Sequence, residues 1–252
     1  MTAADFKDHF STASEAYRRY RPHYPAKLFS DLADLTPGRD LAWDCATGTG
    51  QAAQALSSHF NKVIASDAST QQISQARPAA NIEYVVASAE ALQLADDTVD
   101  LITVAQALHW FEQAAFYANA WRCLKPQGVL AVWKYDLAVI EPAVDAVVNW
   151  YYHDVVGPYW PPERVYIEQG YPPLPQPFTA IQAKPFAMQA DWTRDDLLGY
   201  LGTWSASKYY QQAKQQDPLA LIEEKLLAVW ADAAEHKPVR WPLQLLIGSK
   251  HD

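Results

Sequence analysis

The residues most capable of chemistry fall in LAWDCATGTGQAAQAL, residues 41–56, followed by KVIASD ending at Asp67. An apolar run, a glycine-rich turn, a helical run and a second apolar run closed by a carboxylate give the order that a nucleotide-like ligand needs. Gly48 and Gly50 lack a Cβ, so the backbone can approach a ligand closely and bend at positive φ. A helix starting near Gly50 aims unpaired N–H groups into the turn that Ala46 and Thr47 open. Asp67, with Ala68 after it, ends the second run, where a carboxylate can accept two hydrogen bonds from a ribose diol. A plainer role for Asp67 is to cap the next helix, but Ser69 can do that and leave the carboxylate for a ligand.

Two cofactor classes use such a loop. Residues 48–53 read G-x-G-x-x-A, and Asp67 follows at about the 20-residue spacing of a dinucleotide fingerprint. An NAD(P)-dependent oxidoreductase is therefore one reading. Asp44, four positions before Gly48, discriminates. A carboxylate there repels a pyrophosphate and attracts S-adenosylmethionine, whose sulfonium and ammonium are cationic and which has no phosphate. As a bland alternative, Asp44 only caps the turn. The loop also begins 40 residues into the chain, whereas a dinucleotide domain usually opens on its first strand. S-adenosylmethionine, with S-adenosylhomocysteine as its product, is the better fit, either as methyl donor or as the ligand of a non-catalytic sensor.

The elements around this loop alternate. The pattern predicts strands over 41–45, 62–66, 82–87, 99–105 and 128–134, with helices over 50–60, 69–77 and 112–124. Strands separated by helices give a parallel sheet covered on both faces, and the nearly continuous apolar runs VIAS, YVVA, LITVA and VLAVW suit one. Ligands of such sheets sit beyond the carboxyl ends of the strands. Asp44, Asp67, Ser88-Ala89-Glu90 and Ala105-Gln106 all fall there. After Trp133 the regularity stops in a Trp-, Tyr- and Pro-rich stretch over 136–178. A strand at 180–188, helices near 193–213 and 218–235, and a closing strand follow.

Residues 41–50 resemble the first motif of class I S-adenosylmethionine-dependent methyltransferases, and the resemblance covers most of the chain. It is nearest to the branch containing trans-aconitate methyltransferase, through RPHYP at 21–25, ALHWF at 107–111, LKPQGVLAVW at 124–133 and the aromatic insert. The resemblance implies an α/β, doubly wound, mostly parallel seven-stranded sheet with an antiparallel last strand and a helical, aromatic cap. It implies one domain over 1–252: lid helices 1–34, cofactor core 35–135, cap 136–238 containing the strand at 180–188, and final strand 239–252. Ala46 stands where the family usually has its first glycine, a change the turn survives if Ala46 keeps a negative φ.

The same resemblance assigns roles. Asp44 anchors the methionine end directly or through the loop amides. Tyr17 and Arg21 lie across the cofactor as a lid, Arg21 pairing with the methionine carboxylate or an acidic substrate. Ser88-Ala89-Glu90 reads the adenine edge, unless Ser88 caps a helix with Glu90 in its first turn. His109 and Trp110 follow the fourth strand beside the methyl donor. His109 either accepts a proton from a hydroxyl nucleophile or forms pocket wall. Trp133 and Tyr159 are expected in the substrate pocket, with Arg164 poised for a carboxylate, so the expected acceptor is an oxygen of a small carboxylic acid.

Composition excludes several classes. With 20 Lys plus Arg against 29 Asp plus Glu, the net charge of −9 disfavours nucleic acid, whose binding needs a basic patch. No run approaches the ~18 apolar residues of a membrane span, and MTAADFKDHF carries charge where a signal peptide is apolar. Cys45 and Cys123 sit in apolar elements, as in a cytoplasmic protein. No Cys/His spacing suggests a metal. A small-molecule substrate and a monomer or homodimer are expected.

Overall fold

Strand side chains alternate between two sides, and here both sides are covered by helices, which is why the strand segments are apolar throughout. The computed structural model describes residues 20, 22–162 and 164–251, and of Tyr166 only the backbone. β1 (Leu41–Cys45), β2 (Lys62–Asp67), β3 (Ile82–Val86), β4 (Val99–Ala105) and β5 (Leu124–Tyr135) lie parallel in the order β3-β2-β1-β4-β5. β8 (Lys237–Ser249) runs antiparallel beside β5, with Val129–Tyr135 opposite Ser249–Leu243.

Period-two alternation divides the core. Ala42 of β1 and Val129, Ala131 and Trp133 of β5 face one side, with α1 (Ala26–Asp34) and α2 (Gln51–Leu56). Trp43 and Cys45, with Leu130 and Val132, face the other, against Phe116, Ala120 and Cys123 of α4 (Gln113–Cys123). α1 buries Leu28, Phe29, Leu32 and Ala33, a single stripe at helical spacing. α3 (Thr70–Ser74) is capped by the Ser69 hydroxyl, which accepts from Gln72 N.

The strand expected at 180–188 is two strands, β6 (Thr179–Ile181) and β7 (Phe186–Trp192). Pro185 lies between them and cannot donate to a ladder. Both pair antiparallel with β8, β6 against Ile247–Ser249 and β7 against Lys237–Leu243. Among the described residues the sheet therefore has eight strands where seven were expected, and its last strand starts at Lys237.

The cap is more helical than its Pro and aromatic content suggests. α5 (Pro142–Trp150) opens with a proline in its first turn, where no N–H is needed. It runs into a π-helical turn at Tyr151–Val155 and a 3₁₀ turn at Gly157–Tyr159. α6 (Arg164–Glu168) follows. The helix expected over 193–213 breaks into α7 (Arg194–Gly202) and α8 (Ser205–Lys214), and α9 (Leu219–Val229) precedes β8. Trp204, between α7 and α8, gathers the cap through ring contacts to Tyr151, Tyr152, Trp160 and Tyr200. Among the described residues no helix is long and apolar enough to cross a membrane.

Trp133 is a core residue and not the pocket wall expected of it. It is fully buried, with its ring edge-on to Tyr24 at 5.5 Å and to Phe29 at 6.2 Å. Tyr135, on the same side and two residues further along β5, is the one that reaches the ligand end of the sheet. Trp133→Ala should lower unfolding stability by about 3–5 kcal/mol in urea titration. Trp133→Phe should cost much less, because it also removes an indole N–H that has no partner.

Candidate functional site

A cavity of about 1350 Å³ lies at the carboxyl ends of β1 to β5, under the cap. It exceeds the roughly 300–1,000 Å³ of a single small-ligand pocket, which leaves room for two molecules side by side. Ala46–Gly50, Asp67 and Ala68, Ser88–Glu90, Ala105 and Gln106 line it, together with His109, Trp110, Tyr135, Trp160, Arg164 and Trp204.

The glycine loop is held at three left-handed positions, with Ala46 at φ 56°, Gly48 at 57° and Gly50 at 86°. Thr47 N donates to Ser66 O at 2.9 Å and ties the loop to β2. At Gly50 a Cβ would stand 2.4 Å from Tyr84 Oη, so only glycine fits. Ala46 departs from expectation. The chain must turn as soon as it leaves the buried end of β1, and at residue 46 that turn requires a positive φ, which an L-residue adopts at a cost of about 1–2 kcal/mol.

Asp44 does not line the cavity. It is 1% exposed and lies beneath the loop. Oδ2 accepts from Thr47 Oγ1 at 2.5 Å, Oδ1 accepts from Thr103 Oγ1 at 2.7 Å, and the Ala53 amide of α2 also bonds to it. Burial pushes its pKa up to about 6 against the pull of these donors, with the Asp67 charge adding a smaller rise. Asp44 is thus ionised at pH 7, in contact with the loop and shielded from the cavity. The direct anchor expected of it is closed, and the route through the loop is the one that this geometry offers.

Asp67 lines the cavity and organises two loops. Oδ2 accepts from Gly48 N at 2.9 Å and Oδ1 from Ser69 N at 2.8 Å. Ser88 lies in a tight turn, with Ala91 N and Leu92 N both 3.2 Å from its carbonyl, and no helix starts there. Glu90 Oε1 accepts from Glu112 N at 2.8 Å, which joins this turn to the start of α4. Gln106, at φ 58°, uses its amide as a strand extension, donating to Tyr135 O at 3.0 Å and accepting from Tyr135 N at 2.8 Å. It fixes the mouth between β4 and β5, and one amide N–H and one carbonyl lone pair remain beyond these two bonds.

His109 lies in a 3₁₀ turn, Leu108–Trp110, and is 8% exposed. Its Nδ1 is 2.8 Å from Tyr171 Oη. Burial, reinforced by the charge of Arg164, drives its pKa down to about 3, so the ring is neutral at pH 7. Arg164 lies over the Trp160 ring at 4.5 Å and donates from Nε to Tyr152 Oη at 2.8 Å. Tyr152 in turn donates to Glu168 at 2.5 Å. Tyr159 leaves the cavity wall to pack on Tyr210 at 5.1 Å. Tyr17 and Arg21 lie outside the described residues.

A methyltransferase domain family matches residues 43–132, from β1 into β5. A Dictyostelium discoideum protein named as a methyltransferase is 34% identical over 99% of this chain and 97% of its own length. A solved structure from Anaeromyxobacter dehalogenans, described as a type II methyltransferase, is 40% identical with a TM-score of 0.85, over 92% of this chain and 98% of that one. The chain belongs to the class I S-adenosylmethionine-dependent methyltransferases. A Haemonchus contortus phosphoethanolamine N-methyltransferase, solved with phosphomonomethylethanolamine and S-adenosylhomocysteine, shares the fold. It has a TM-score of 0.52 at 15% identity, over 99% of this chain and 61% of its own.

Several residues in or behind the wall of this methyltransferase's cavity carry no local signal. Tyr171, which holds His109, is 62 residues away in the chain. Tyr200, Thr203, Ser205 and Lys208 reach the cavity from α7 and α8, whose apolar faces look like any cap helix. Trp160 belongs to the aromatic insert and Trp204 joins α7 to α8, and the density of aromatics alone does not say which rings face a ligand.

Ala46→Gly should stabilise the methyltransferase by about 1 kcal/mol, because glycine adopts this φ without strain. Calorimetry should show a rise in Tm of roughly 2–4 °C. Asp44 gives a pH test. Its folded pKa of about 6 lies above the ordinary 3.8, so the native state holds a proton that the unfolded chain has lost. Stability from this group is present below about pH 4 and is lost as pH rises through 6. Relative to Asp44→Asn, the parent should lose about 3 kcal/mol between these limits. Parallel denaturation curves across the pH range would contradict this.

Proposed function

We propose that this methyltransferase moves a methyl group from S-adenosylmethionine to a carboxylate oxygen of a small organic acid. When bound, S-adenosylmethionine supplies a sulfonium-activated methyl group, already a good leaving-group system. The residues present suit it: Asp67 is placed to accept from a ribose diol, Ser88–Glu90 to border an adenine, and the loop over Asp44 to favour a cation. Two carboxylates beside the glycine loop are a poor setting for a diphosphate.

The observation that carries the substrate class is Arg164. It lines the cavity, is braced by Trp160 and Tyr152, and among the described residues no carboxylate lies within ion-pair distance of it. A cation so held favours an anionic substrate group. A carboxylate acceptor is ionised at pH 7 and needs no base, which suits a site whose histidine is neutral and weakly basic. The chain's task is then alignment and exclusion of water. Holding reactants about 3–3.5 Å apart in line can supply roughly 7–11 kcal/mol. The cap over the cavity is built for that closure. Cys45 and Cys123 are both buried free thiols, which suits a cytosolic setting.

Asp67→Ala should weaken S-adenosylmethionine binding by about 1–3 kcal/mol, read by isothermal titration, since ribose hydroxyls lose their acceptor. An unaltered Kd would remove Asp67 from the site. A panel of small carboxylic acids, alcohols and amines incubated with methyl-labelled donor tests the substrate class. Label that is released by mild alkali marks methyl esters and is the expected product. Label only in alkali-stable ethers or amines would contradict a carboxylate acceptor.

A further inference from the structure

The hydrogen bonds around Tyr171 decide what His109 can do. A phenol oxygen has two lone pairs and one proton. Besides His109 Nδ1 at 2.8 Å, the backbone N–H groups of His109 and Leu108 face the Tyr171 oxygen. N–H groups on that side of the oxygen favour its lone pairs and leave its proton to point towards His109. Burial keeps that proton in place by pushing the phenol pKa up. Nδ1 of His109 therefore accepts, and a neutral imidazole that accepts at Nδ1 carries its own proton on Nε2.

A ring in this tautomer donates at Nε2 and cannot take a proton there. Among the described residues no protein group meets Nε2, and the ring lines the cavity. α6, which carries Arg164, packs against the 3₁₀ turn that carries His109, and the Arg164 charge is near enough to depress the basicity of His109. Nε of Arg164 is spent on Tyr152, which leaves the guanidinium's terminal N–H groups. Two donors of different charge, neither with an acceptor of its own, thus converge on one wall of the cavity.

We propose that His109 Nε2–H and the Arg164 guanidinium form an oxyanion-binding subsite for a substrate carboxylate, and that Tyr171 is the positioning residue that fixes His109 as a donor. This rests on the carboxylic-acid reading and adds that His109 orients the substrate and does not deprotonate it. Whether the bound carboxylate is the one methylated or a second one on the same molecule, the subsite sets its angle.

The tautomer can be read without any ligand. Long-range ¹H–¹⁵N spectra of the full chain labelled at histidine nitrogen, with the His109 signals assigned by their loss in His109→Gln, should show a proton on Nε2 and an unprotonated Nδ1 at pH 7. In Tyr171→Phe the Nδ1 signal should shift towards that of a nitrogen without a donor. A proton on Nδ1, or a doubly protonated ring, overturns the subsite. With the acid that the labelled-methyl panel identifies, His109→Leu should raise KM by roughly 10-fold or more, with a much smaller change in kcat. His109→Gln, whose amide N–H can still donate, should recover most of that loss. A kcat loss of about 100-fold in both variants with KM intact would mark a base and overturn the proposal. If no acid in the panel accepts methyl, the carboxylic-acid reading falls and the subsite falls with it. A His109 proton on Nδ1 overturns the subsite alone.

Discussion

Asp44 is a carboxylate almost without water, held by two threonine hydroxyls and one helix amide, and the site is arranged around it. Thr47 joins it to the glycine loop, Thr103 to β4, and Ala53 to the first turn of α2. These bonds do not fully offset desolvation, since its pKa remains near 6. Such a group persists because the surrounding structure over-determines it. Its ionised form puts a negative charge directly under a loop whose backbone is bare, and Asp67 adds a second at the loop's edge. The same arrangement sets loop geometry and ligand charge.

The cavity wall carries charges of both signs, Asp67, Glu90, Glu112 and Asp136 against Arg77, Arg164 and Lys208. Asp44 and Asp67 flank the glycine loop, whereas Arg164 of the cap lies near the neutral His109 that follows β4. On the proposed reading, a cationic methyl donor would be drawn to the loop and an anionic acceptor to Arg164. Trp160, Tyr152 and Trp204 pack on one another beside Arg164. Cation–π contact and one hydrogen bond hold Arg164 without neutralising it.

Much of this is legible in the sequence because it is local. The order of β1, loop, α2 and β2, the helix cap at Ser69 and the placing of Asp67 at a strand end follow from short-range patterns and turn chemistry. What was not legible depends on distance in space. That Trp133 is core and Tyr135 is wall depends on where β5 passes the edge of the sheet, which alternation does not tell. Ala46 has a positive φ because the loop around it demands one, against its own preference. Pro185 divides an apolar run that otherwise reads as one strand. The bond between Tyr171 and His109 joins a proline-rich segment to the β4 edge, and neither residue carries a mark of the other.

The buried charge beneath the loop should select a cationic, phosphate-free cofactor. Isothermal titration of the purified chain with S-adenosylhomocysteine, S-adenosylmethionine, NAD⁺ and NADP⁺ under one set of conditions tests it most directly. The two adenosyl-sulfur compounds should bind saturably, with S-adenosylmethionine held at least as tightly as its uncharged-sulfur product, and neither dinucleotide should give heat. Saturable binding of NAD⁺ or NADP⁺ without binding of S-adenosylmethionine would contradict it.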